Sequence, residues 1–320
     1  MTTPSPVSDH PLKSDVAERI RRSATSDRPF RYVLRATAAV FGAVIVLFVW
    51  SIVKTAWPAI TSNGIHLITG RTWIAGSGPY GALPLIIDTL STTAIALVFA
   101  VPVGLASAMA LQFQVPQRLR GPLASLIELL AAVPSVVYGL WGIAVMVPFF
   151  INTLEPFLSH LTGGAWPFNG PQDGFSLLLA GMVLSIMILP TIVAVSRDVI
   201  ATVPMELVEG ALSLGATRGQ VFSKVIIPTA RTGLLGAIVL GTGRALGETI
   251  AVAMVIGSNA QLPHSLFSSG ATLASTIAVE FGNSVGTEGS ALAALALILM
   301  VITGLVNWGA RALTRRAAIH

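Results

Sequence analysis

VPMELVEGALSLGATRGQVFSKVIIP, residues 203–228, is the longest internal stretch of the chain that is neither strongly apolar nor loop-like in composition. Its punctuation predicts two short helices around a turn. Pro204 suits a helix start, where the N–H that proline lacks has no intrahelical partner in any case. Gly215 supplies a stop, because glycine enters the left-handed conformation of a helix C-terminus without a steric penalty. Thr217, followed three residues later by Gln220, is a capping-box pattern in which each side chain satisfies an unpaired backbone donor. Hydrophobic runs flank the stretch on both sides, and their nature sets the fold.

Six apolar runs are expected to cross a bilayer, at about 33–53, 84–111, 123–150, 175–195, 233–257 and 290–310. Of the 320 residues, 53% are hydrophobic and 10% charged, against ~25% charged in soluble proteins. That excludes an ordinary soluble domain. The first run is uncharged from Ala36 to Val53, and at ~1.5 Å per residue it nearly covers a hydrocarbon core of ~30 Å. Within lipid the backbone must satisfy its own hydrogen bonds, so an all-α integral membrane protein with six transmembrane helices is expected. The first run is not a cleaved signal peptide, because a long polar tail precedes it and no small-x-small cleavage site follows. The expected organisation is a polar N-terminal tail over 1–32, a first transmembrane helix over 33–53, and a core of five transmembrane helices over 80–310 that carries the stretch 203–228.

Charge orients this arrangement. Lys54 and Arg71 fall on one side of the membrane and Arg244 inside a span, whereas the rest of the 19 Lys and Arg residues fall on the side of the tail. The positive-inside rule then places both termini and the stretch 203–228 in the cytoplasm. A helix-turn-helix held against the inner face is suited to be gripped, receiving force from a partner while the spans form a pathway. The net charge of +5 therefore reports topology. Nucleic acid is excluded as a target, because the basic residues sit in short loops and no aromatic residues interleave with them.

In the tail, the start up to about Asp9 is expected to be disordered. Val16 to Arg22 reads either as a basic helix on an anionic leaflet or as part of a solvated tail. Residues 163–174 form turns throughout, and Ala271 to Phe281 reads as a short helix resting on the outer face. The absence of cysteine excludes disulfides and thiolate chemistry. His10, His66, His160, His264 and His320 lie too far apart for a local metal motif. No phosphate-cradling G-x-x-x-x-G-K-[ST] loop and no carboxylate cluster occur, so any ATP that drives the chain is hydrolysed by another one.

Asp88, Glu128, Arg244 and Glu248 are the ionisable residues within the expected spans. Arg244 and Glu248 are separated by four, which on one helix puts them on one face a turn apart. Ionisable side chains in a bilayer face a bundle interior or a wet cavity, and the planar fork of an arginine suits an oxyanion. Two roles stay open for the pair: lining a substrate pathway, or locking helices together as an internal ion pair. Glu128 precedes Pro134 and Gly139, which interrupt the third run. That interruption is either a break beside a pathway or a proline kink with glycine for close packing.

With these residues in place, residues 203–228 resemble the cytoplasmic EAA motif of type I ABC importer permeases: EAA, three residues, G, nine residues, I-x-L-P. Glu209, Gly210, Ala211, Gly215, Val225, Ile227 and Pro228 occupy its positions, with Gly210, Val225 and Ile227 as departures. YGALPLIIDTL, PSVVYGLWG, GRALGETIAVAMVIG and TLASTIAVEFG resemble the phosphate-importer branch, the PstC family, over roughly residues 80–308. The resemblance implies the six-helix, MetI-like permease fold in a bacterial inner membrane and import of inorganic phosphate by alternating access. It implies no cofactor on this chain, with ATP and Mg held by the partner ATPase. The implied partners are a sister permease (PstA), an ATPase dimer (PstB) and a phosphate-binding protein (PstS). It also implies that Arg244 and Glu248 line the substrate pathway and that Glu209, Gly210, Ala211, Gly215 and Pro228 couple to the ATPase. A permease for another oxyanion such as sulfate, molybdate or phosphonate stays open, as do an ATPase-independent secondary transporter or channel and a membrane scaffold or sensor.

Overall fold

A computed structural model describes the backbone of residues 12–318 apart from Ser77 and Val285, with side chains from 30 to 312. The disorder expected up to Asp9 lies outside the described residues. Two units separate along the chain, Met1–Lys54 and Thr55–His320. The first is one helix, which begins at Leu12 and ends beyond the unit at Asn63. Val16 to Arg22 are helical, as a part of this rod and not as a separate helix.

Among the described residues, six helices are long and apolar enough to cross a membrane: Phe30–Asn63, Leu83–Phe113, Ser135–Thr162, Leu177–Ala201, Arg218–Gly247 and Thr287–Ala312. Among the described residues there is no strand, and only isolated bridges occur. The fourth span is the axis of the second unit, with Val183, Leu184, Met187, Ile188 and Ile192 buried. The second span lies against it through Ala96, Ala100, Gly104 and Ala108, four residues apart on one helix face and all buried. Such small residues let two backbones approach, where van der Waals packing must supply what hydrophobicity cannot between lipid-bathed helices. The approach leaves no slack: a Cβ on Gly104 would lie 2.8 Å from Ile192, and one on Gly181 2.5 Å from Ile95.

Three expectations are corrected. The third span is Ser135–Thr162 rather than 123–150. Residues Gln117–Ala132 form a separate helix with no buried residue, because Val133 is extended ahead of Pro134, whose ring disfavours helical backbone before it. Glu128 therefore lies outside any span, with its carboxylate 3.4 Å from Arg197. The fifth span is Arg218–Gly247 rather than 233–257, so the second of the two short helices is the first turns of that span.

The helix expected on the outer face is Leu273–Glu280, and its first four residues are buried. Thr272 and Ser275 cap it reciprocally. The second span holds its start: the Asp88 carboxylate accepts from the Ala271 N–H at 2.9 Å and the Thr89 hydroxyl from the Leu273 N–H at 3.0 Å. Gly270 is required there, since a Cβ would lie 2.5 Å from the Asp88 carboxylate.

Candidate functional site

The stretch 203–228 folds as its punctuation dictates. The first helix is Met205–Ser213, begun after Pro204. It ends in a Schellman motif: Ala216 N–H bonds to Ala211 C=O at 3.1 Å and Gly215 N–H to Leu212 C=O at 3.0 Å. Gly215 sits at φ +83°, the left-handed region that the motif demands of this position. Thr217 and Gln220 form the reciprocal capping box, with bonds of 3.3 and 2.9 Å. Val208, Val221 and Ile226 are buried together with Ala108, Val193, Ile200 and Leu234, anchoring the segment to the second, fourth and fifth spans. Its outer side is apolar and open. Leu207, Leu212 and Leu214 are exposed, Leu214 at the turn by 91%, and Glu209, Gly210 and Pro228 are exposed as well. One end of the segment is thus fastened to the helices of the core while the other presents a capped turn.

Arg244 and Glu248 are not on one helix. The helix ends at Gly247, and Glu248 is extended, with ψ 131°. A new short helix, Ile250–Val255, then begins. The Glu248 carboxylate accepts from the Ala251 N–H in its first turn at 3.4 Å, where the helix dipole favours an anion. Arg244 donates to the Thr191 hydroxyl at 2.9 Å and reaches the Ala131 carbonyl at 3.5 Å. Tyr138 donates to the neighbouring Leu130 carbonyl at 2.9 Å. Both carbonyls lie in the last turn before the break at Val133–Pro134; Leu130 C=O also accepts from the Val133 N–H at 3.3 Å. The interruption before Pro134 is therefore a break with partners, and Gly139 also serves close packing, since its Cβ would lie 2.6 Å from Met254. Neither the break in the fifth run nor Thr191 was legible in advance. GRALGET contains no proline, and nothing in the sequence pairs residue 191 with residue 244.

Arg244 also opens onto a cavity of about 690 Å³ whose lining includes Thr191, Thr232, Gly236, Gly243, Asn307 and Arg311. A half-buried guanidinium beside a cavity can meet an oxyanion through parallel, charge-assisted hydrogen bonds. Its bond to Thr191 fixes the fork without neutralising it.

Residues 100–319 match the family described as binding-protein-dependent transport system inner membrane component. Phosphate transport system permease protein PstC of Mesorhizobium japonicum is 39% identical over 300 residues, 92% of each chain. The proteins of the same name from Pasteurella multocida and Haemophilus influenzae are 41% and 42% identical, over 87% and 86% of this chain and 88% and 90% of theirs. Among solved structures, a chain of the bacterial alginate ABC transporter superposes with TM-score 0.56 at 16% identity, covering 93% of this chain and 98% of that one. A chain of the inward-facing MetNI methionine ABC transporter does so with 0.52 at 18%, covering 73% and 96%. At these identities the two structures establish a shared fold.

Proposed function

From the premise that this chain belongs to the family of binding-protein-dependent transport system inner membrane components, we infer that it is the membrane permease subunit of an ABC importer for inorganic phosphate. It is a multi-pass membrane protein of the bacterial inner membrane. The observation that carries the substrate is likeness over nearly the whole length to permeases named for phosphate transport. As a permease it works with an ATPase and a binding protein. We assign these as PstB and PstS, with PstA as the second permease and ATP and Mg on the ATPase.

The mechanism follows from two places in the fold. Glu209, Gly210, Ala211, Gly215 and Pro228 form the cytoplasmic surface that the ATPase engages, with both termini on the same side. Closure of the ATPase dimer moves the Met205–Ser213 helix as a unit. The push enters the fifth span directly, since Arg218 begins both the second coupling helix and that span. Arg244, 26 positions further along that span, meets phosphate through its guanidinium. Glu248 stands at the helix break above it, where it sets the position of the following helix.

ATP-dependent uptake of labelled phosphate into vesicles, with and without the partner ATPase, tests this function. Uptake only with the ATPase is expected, and uptake without it would point to a secondary transporter. Undiminished phosphate uptake in excess sulfate, molybdate or phosphonate is expected, and stronger competition by one of these would reassign the substrate.

A further inference from the structure

The cavity beside Arg244 extends well beyond that residue. Along the fifth span it is lined by Thr232, Gly236, Gly243 and Arg244, and from the last helix it receives Asn307 and Arg311, one turn apart. Nothing lies within 4 Å of a Cβ built on Gly236 or Gly243, and the side chains of Val239 and Leu240 complete the fifth span's face of the groove. Twelve residues separate Thr232 from Arg244, a rise of about 18 Å along the helix. Consecutive spans run in opposite directions, and each arginine lies towards the C-terminal end of its own helix. They therefore sit towards opposite ends of the groove. Among the described residues, the groove lining contains two guanidinium groups, the Asn307 amide and the Thr191 and Thr232 hydroxyls, and no carboxylate. That donor set recognises an oxyanion.

We propose that Arg311, with Asn307, forms a second phosphate position in this groove, at the end away from Arg244, which the anion occupies before it leaves on the cytoplasmic side. This rests on the phosphate-import reading. The groove is longer than the Debye length of about 8 Å at physiological salt, so the two arginines act as successive stations. A single deep arginine would hold phosphate without a further partner on the way out. A second, more exposed guanidinium provides one and weakens the barrier to release.

The test is equilibrium binding of labelled phosphate to the complete permease–ATPase complex without nucleotide, in nanodiscs of neutral phosphatidylcholine. Arg311→Gln and Asn307→Asp are each expected to weaken a second bound phosphate about tenfold or more while leaving the one at Arg244, whereas Arg311→Lys keeps the second phosphate within a few-fold of the wild type. Co-purification of the subunits with each variant excludes a folding defect. Unchanged binding in both Arg311→Gln and Asn307→Asp overturns the proposal. So does the absence of phosphate binding to the wild-type complex, while ATP-driven uptake by that same preparation would leave the importer reading standing. Displacement of the phosphate by added phosphatidylglycerol would assign Arg311 to a lipid headgroup and likewise overturn it.

Discussion

Gly215→Val should uncouple phosphate transport from ATP turnover without dismantling the complex. Gly215 stands at φ +83° with nothing within 4 Å of the place where a Cβ would go. The penalty is therefore one of backbone conformation and not of collision. A left-handed L-residue costs about 1–2 kcal/mol, and a β-branched one is worse still. Escape to negative φ breaks the Gly215–Leu212 and Ala216–Ala211 bonds, each contributing about 1 kcal/mol net. Either route displaces the turn equilibrium by roughly 5- to 30-fold. The buried anchors Val208, Val221 and Ile226 are untouched, so the subunits should still co-purify. The assay is phosphate-stimulated ATP turnover, with uptake, in proteoliposomes holding the whole complex and the binding protein. Turnover and uptake should be lost in the valine variant and largely retained in Gly215→Asn, since asparagine tolerates the left-handed region. Coupled turnover at the wild-type level in Gly215→Val would refute the reasoning. An asparagine variant as impaired as the valine one would shift the cause from the backbone to crowding in the partner's cleft.

Arg244→Gln should abolish uptake while the subunits co-purify; surviving uptake with failed assembly would make Arg244 a helix lock. Asp88→Ala should lower thermal stability by about 1–3 kcal/mol, since the buried Ala271 N–H loses its acceptor. Asp88→Asn keeps an acceptor and should melt close to the wild type, and equal loss in both variants would show that the charge matters instead. Gly210→Ala, at an exposed helical position with open space around its Cβ, should raise stability by up to ~1 kcal/mol in a chemical melt. Burial, then the nearby Glu288, push the Glu280 carboxyl above its usual 4.5, against the Trp73 indole N–H that bonds it at 2.8 Å. The folded chain then holds a proton there that the unfolded chain releases. This contribution to stability is complete below the unfolded value of 4.5 and is lost as pH rises through the raised folded value. Melting curves across that range should flatten in Glu280→Gln, and an unchanged slope would exclude Glu280 as its source.

Local signals in the sequence sufficed for the class of fold and for the two capped helices of 203–228. The apolar runs needed only length and composition, and the turn at Gly215 and the Thr217–Gln220 box needed only neighbours within a few residues. Where helices end inside the membrane was harder to read. The interruption at Pro134 was visible because proline acts on its own neighbourhood, yet whether it kinked or broke the helix depended on distant groups. Arg244, 110 positions later in the chain, and Tyr138 meet the carbonyls of the last turn before it. The break before Glu248 carried no local mark at all, and helical periodicity placed that residue on the wrong neighbour of Arg244. The sequence alone thus determined six apolar spans and the capped turn at 203–228, because burial in lipid and helix capping are short-range demands. Only the tertiary structure decided that Arg244 is oriented by Thr191 and opens onto a groove shared with Arg311, because those contacts join residues that nothing but the packing of three helices brings together.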